Sequence, residues 1–311
     1  MVFYAGMALI HSAIFTYESI NFGLDGYCAK LKAETINQRG EQQMSEQTHA
    51  QRRIKALDVL RILGGTGTPE QSAQRLEDQN GALGSFVVDF AMGDIWSRNG
   101  ISKRDRSLIV MSILGALNMT RQLKVHVRGA INHGMTPEEV REVFTHMCGY
   151  AGFPRALDAM HAANEVLAEM GHGPKDGKLA PAARLTDAER WKLGAEGLSV
   201  ITGWEIPPIR PADDGNGPVG LGPLGGIAVD FCFGEIWART QLKRRDRSVL
   251  VCSILGALGR TDELKIHIPA ALRNGVARDE LEELIVTMAA YAGFPFAVEF
   301  RAVLMEHLKK A

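Results

Sequence analysis

Apolar and polar positions follow helical spacing along most of the chain. From Arg104 to Leu117 it reads RDRSLIVMSILGAL, charged for one turn and then apolar on every side, the pattern of a helix buried among other helices. In the next segment, RQLKVHVRGAINHG, Leu123, His126, Val127 and Ala130 recur at i, i+3, i+4 and i+7 and form one apolar stripe, with Gly134 placed to cap the end. Thr136, Pro137 and Glu139 supply the N-cap, first-turn proline and third-position carboxylate of a capping box, so a new helix begins there. YAGFP at 150–154 breaks it, and RALDAMHAANEVLAEM supplies another. Period-two alternation is nearly absent, which predicts an all-α protein.

The pattern then repeats. A shift of 141 residues aligns 88–156 with 229–297 without a gap, and close to half of the paired positions are identical. VDFAMGDIWSR at 88–98 returns as VDFCFGEIWAR at 229–239, and RDRS, SILGAL, LK(V/I)H and YAGFP each occur twice. A weaker echo lies upstream, where AQRRIKALDVLRILGG at 50–65 resembles AERWKLGAEGLSVITG at 188–203. The segment 171–184 has linker composition, and 207–226 is a Gly/Pro-rich loop whose breakers exclude helix or central strand and which is placed to cover a site.

Bulk composition narrows the function classes. The chain has 311 residues, 46% of them hydrophobic, and a formal charge of -1, as expected of a globular protein with an ample core. Such a charge, with no basic run, gives no field to draw nucleic acid. The first fifteen residues are apolar but too short for a membrane span and lack the flanks of a secretory signal, so residues 1–43 are expected to be an extension outside the fold, with no membrane partner. Cys28, Cys148, Cys232 and Cys252 form no CxxC pair, and no histidines stand at metal-ligand spacing; a cytoplasmic protein without a metal site is expected.

Candidate chemistry gathers on the repeated segments. His126, and His267 in the second copy, sit on apolar stripes, either as core histidines satisfied by a backbone carbonyl or as groups held near neutrality for proton transfer. Asp94 and Glu235 stand two residues before a tryptophan, and Arg98 and Arg239 four residues on are their i,i+4 partners if the segment is an ordinary helix. In RDRS the charges satisfy one another, except that Arg106 stands at the edge of the buried run, placed to hold a carboxylate by a two-pronged bond. Arg128 lies two residues from His126 and points off its stripe.

Taken in order, the G(D/E)IW(S/A)R segment, the RDRS helix start, the LK(V/I)H helix and the YAGFP turn resemble the carboxymuconolactone decarboxylase family of the alkylhydroperoxidase D-like superfamily. The resemblance implies two fused helical-bundle repeats, at 44–175 and 185–311, and loss of CO2 from a small anionic lactone in aromatic breakdown without a cofactor. It implies catalytic roles for His126, His267, Glu235 and Asp94, and substrate binding by Arg128, Arg98, Arg239, Arg106, Arg247, Trp96 and Trp237. Thiol peroxidases of the superfamily carry CxxC before the helix histidine; here Met119 and Gln122, and Arg260 and Glu263, stand at those places, which disfavours that chemistry. Copy one departs from the family at Asp94, and copy two at Pro269 in place of an arginine. The intact elements are complementary, which suggests one constellation of Glu235, His126 and Arg128 across the interface. Single-unit relatives form rings, so a trimer of the fused chain, rebuilding a six-unit ring, is expected. A related decarboxylase or isomerase of another small lactone or oxo acid, and a non-catalytic small-acid-binding ring, are the alternatives.

Overall fold

The computed structural model describes residues 48–64, 67–174, 176–211 and 222–310, so the expected extension at 1–43 and the middle of the 207–226 loop lie outside it. Among the described residues there is no strand. The first copy consists of α1 (His49–Leu63), α2 (Pro69–Asn80), α3 (Ala82–Phe86), π1 (Val87–Trp96), α4 (Lys103–Ala116), α5 (Thr120–Asn132), α6 (Pro137–Ala151) and α7 (Phe153–Glu169). The second has α8 (Asp187–Thr202), α9 (Pro223–Ile227), π2 (Ala228–Ile236), α10 (Arg244–Ala257), α11 (Thr261–Arg273), α12 (Arg278–Tyr291) and α13 (Phe294–Lys310). No helix among the described residues is long and apolar enough to cross a membrane.

Local chemistry accounts for most boundaries. The capping box at Thr136 and Glu139 opens α6, and Gly152, with φ +85°, separates α6 from α7 at the YAGFP turn. Every residue of α4 from Arg106 to Ala116 is buried. Pro269 sits inside α11 without ending it. The 207–226 segment does contain helix, contrary to its composition: Pro223 takes the first position of the short α9, entered through Gly222 at φ +57°. The equivalent stretch of copy one, between α1 and α3, holds the full helix α2.

The repeated VDF segments are not ordinary α-helix. Both wind as π-helix, closing with i→i+5 bonds from Ser97 N–H to the Met92 carbonyl (3.2 Å) and from Trp237 N–H to the Cys232 carbonyl (3.0 Å). The conserved glycine of each segment has a steric cause. A Cβ at Gly93 would stand 2.8 Å from the Arg52 carbonyl oxygen, and one at Gly234 would stand 2.2 Å from that of Arg190. Glycine therefore lets π1 lie against the backbone of α1, and π2 against α8, and the faint upstream echo of the sequence marks these two helices as equivalent. Gly234→Ala is expected to cost about 1–3 kcal/mol by overpacking, read as a lower urea midpoint; an unchanged midpoint would remove this explanation.

The copies share one continuous core, with Leu108 and Ile113 of α4 and Leu250 and Ile254 of α10 in the same cluster. Charges of the two RDRS segments join the copies reciprocally. Arg104 bonds Asp246 at 2.9 Å and Glu139 at 2.5 Å, and Arg245 bonds Asp105 at 2.9 Å as well as Glu280.

Candidate active site

His126 projects from α5 onto a hydrogen-bonded chain that spans both copies. The indole N–H of Trp96, at the end of π1, donates to the Tyr291 hydroxyl of α12 at 2.6 Å, and that hydroxyl lies 3.2 Å from His126 Nε2. The Trp96 ring stacks on His126 with centroids 5.5 Å apart and on His133 at 5.6 Å. An indole only donates, so the Tyr291 oxygen accepts from Trp96. Burial, with a smaller contribution from His133, lowers the His126 pKa to about 3, so the ring is neutral and one of Nε2 and Nδ1 carries its proton. That Nδ1 is buried and has no hydrogen-bond partner in the protein. His126 is thus not satisfied by a backbone carbonyl.

A cavity of about 480 Å³ opens against this histidine, walled by α1, α2, π1 and α5. Leu60, Leu63, Leu76, Val87, Met92 and Val125 make it apolar, and Ser72, Arg75, Gln79 and Gln122 add polar groups. Its lining contains one arginine and no carboxylate, a composition that favours an anion. Gln122 stands on α5 one turn before His126.

The arginines expected at the substrate are engaged elsewhere. Arg98 donates to Glu283 from Nε at 2.9 and 3.1 Å and from Nη2 at 2.5 Å. Arg106, fully buried, donates to Glu283 at 3.0 Å and to the Thr287 hydroxyl at 2.6 Å. Burial opposes the Glu283 charge, but the bonds from Arg98 and Arg106 outweigh it and hold this carboxyl below the usual range. Copy two mirrors the arrangement, with Arg239 Nε 2.8 Å and Arg247 Nη1 2.8 Å from oxygens of the buried Glu142. Arg247 also contacts His146 Nδ1 at 2.8 Å. These guanidiniums hold carboxylates of the opposite copy and clamp the repeats together.

Asp94 and Glu235 pair with neither Arg98 nor Arg239, because the π-helical turn ends at Trp96 in one copy and Ile236 in the other, so the arginines lie beyond it. Asp94 instead meets Arg52 at 3.0 Å and Glu235 meets Arg190 at 2.7 Å, the helices that the conserved glycines bring close. Arg128 turns away from His126 and bonds Glu169 at 2.8 Å. Among the described residues, no hydrogen bond or ion pair joins Glu235, His126 and Arg128.

The second copy repeats the aromatic frame with different contacts. Trp237 Nε1 donates to Tyr150 at 2.7 Å, and the Tyr150 ring meets His267 edge-on at 5.4 Å. Among the described residues, however, no hydrogen bond joins the Tyr150 hydroxyl to His267. Smaller cavities lie beside both tryptophans, about 190 Å³ at Trp96, His133 and Lys103 and about 310 Å³ at Trp237, Glu196 and Arg244. Tyr150, Tyr291, His133, Glu142 and Glu283 were not singled out from the sequence, although both tyrosines stand in the twice-written YAGFP.

Buried neutral histidines make stability depend on pH. Burial lowers His126 to about 3 and His267 to about 4 from an unfolded value near 6.5. The unfolded chain therefore binds protons first: stability is complete above pH 6.5 and is lost as pH falls toward 4, by up to about 1.4 kcal/mol per pH unit for each histidine. Urea midpoints are expected to fall between pH 6.5 and 5, before carboxylates titrate. Midpoints constant over that window would contradict neutral burial.

The profile of the Carboxymuconolactone decarboxylase family matches residues 81–165 and 225–306. A 4-carboxymuconolactone decarboxylase of Acinetobacter baylyi is 35% identical over 125 residues, 40% of this chain and 93% of that protein. A nitrosuccinic acid decarboxylase of Metarhizium robertsii is 32% identical over 85 residues, 27% of this chain and 59% of that protein. With the family pattern present once in each half of a shared helical core, the chain belongs to the carboxymuconolactone decarboxylase family as a tandem of two copies.

Proposed function

We propose that the chain is a cofactor-independent decarboxylase of 4-carboxymuconolactone-type lactone acids, releasing CO2 and an enol-lactone, and that it works at the His126 cavity. One observation carries this reading: His126, whose buried Nδ1 has no hydrogen-bond partner, lines an anion-favouring cavity whose volume lies within the range of roughly 300–1,000 Å³ usual for small-molecule sites. The names of the two decarboxylase relatives support the reaction class.

The chemistry follows from the substrate. Its departing carboxylate is vinylogous to the lactone carbonyl, so when the C–C bond breaks the electron pair passes through the ring to that oxygen as a dienolate. Arg75, with Gln79 and Gln122, holds the carboxylates. The apolar walls disfavour a localised carboxylate relative to charge spread over the ring. His126 Nδ1–H donates to the dienolate oxygen, where negative charge develops. Carbon then takes a proton, with water as the ultimate source. A nitro group is likewise an electron sink built into an acid, so the nitrosuccinic acid decarboxylase favours one further reading, a different small acid with its carboxylate conjugated to such a sink.

The test is incubation of purified protein with 4-carboxymuconolactone, following lactone absorbance and CO2. Stoichiometric CO2 is expected. Release from nitrosuccinic acid alone would transfer the assignment to the further reading, and release from neither would overturn the decarboxylase proposal.

A further inference from the structure

We infer that each chain carries a single working site, at His126, completed by Tyr291 of the opposite copy, and that the equivalent place at His267 is idle because its histidine lacks the corresponding tyrosine bond. The activity arm of this inference rests on the decarboxylase proposal; the structural arm stands without it.

The two places share a frame: a tryptophan at the end of a π-helical segment, a histidine on the following stripe, and a tyrosine supplied by the other copy. They differ around that tyrosine: His146 stacks on Tyr150, and Thr287 takes the equivalent place before Tyr291. Copy two has Cys232 where copy one has Ala91. The Tyr291 hydroxyl accepts from Trp96, and by directing its own proton to His126 Nε2 it selects the Nδ1–H form. In copy two the Tyr150 hydroxyl accepts from Trp237, and among the described residues no hydrogen bond joins it to His267, whose ring it meets only edge-on. Copy one also has α2, with Arg75 on it, as a wall of the His126 cavity. Tyr291 is therefore a positioning residue: it touches the histidine rather than the substrate, and it makes the second copy indispensable to the first.

Nitrogen-15 NMR of labelled protein reads imidazole tautomers directly. In the full-length wild type the His126 ring is expected wholly as Nδ1–H. In Tyr291→Phe it becomes a mixture or the Nε2–H form, and kcat falls on the order of 10-fold or more with KM changed less than threefold. Tyr150→Phe leaves kcat within about twofold and the His126 spectrum unchanged. Tyr291→Phe removes one hydroxyl, and coincident urea midpoints would show that its effect is not unfolding. Equal kcat losses in the two tyrosine variants, or an unaltered His126 tautomer in Tyr291→Phe, would overturn the inference. If wild type turns over no acid, the decarboxylase proposal fails, and the NMR comparison still decides whether Tyr291 orients His126.

Discussion

Replacing His126 with alanine is expected to lower kcat/KM for the lactone acid by about 10²–10³-fold, the usual loss when one donor to a developing oxyanion is removed. This donor should be efficient because its geometry is fixed before the substrate arrives. Tyr291, itself held by Trp96, bonds Nε2, burial keeps the ring neutral, and in the proposed Nδ1–H form the donor has no partner to surrender when a ligand oxygen takes it. His126→Asn, which keeps an N–H near the same place, should recover roughly one order of magnitude. His267→Ala should cost less than about threefold, since that ring lacks the tyrosine bond. Equal losses at His126 and His267 in a steady-state assay would place the chemistry at both copies or at neither.

The second large effect concerns the clamp between the copies. Glu283→Ala should destabilise the chain by about 3–5 kcal/mol, because it leaves the buried Arg106 without its carboxylate while Arg98 retreats to water. Glu142→Ala should behave alike through Arg247 and Arg239. That is a large part of a domain's stability, about 5–15 kcal/mol. The double change Arg106→Met with Glu283→Leu should recover most of the loss, since an apolar pair of similar volume requires no desolvation of charge. Urea titration of the three variants separates these cases; a midpoint unchanged in Glu283→Ala would mean that the pair contributes no net stability.

The two effects divide the conserved polar residues differently from their appearance in the sequence. Arg98, Arg106, Arg239 and Arg247 resemble ligand holders, because arginine at the edge of a buried run is well suited to carboxylate binding. They do bind carboxylates, but those of Glu283 and Glu142. Arg75, on a helix that the repeat comparison did not reach, is the arginine on the cavity wall.

By itself the sequence determined what depends on neighbours in the chain: the two copies, the all-helical class, the capping box at Thr136, the buried run of α4 and the break at YAGFP. These rest on interactions between residues a few positions apart, where spacing and side-chain type suffice. Tertiary structure alone decided the partners. Trp96 meets Tyr291 across 195 positions and Arg98 meets Glu283 across 185, while Asp94 finds Arg52 across 42. Periodicity carries no information about such distances. The π-helical winding also ends before Arg98, which breaks the i,i+4 rule that would have paired it with Asp94. The signal that was present, a tyrosine and a glutamate repeated in both copies, marks positions held in common; which copy each one serves is fixed only when the two RDRS helices pack and carry α6 and α12 into the opposite site.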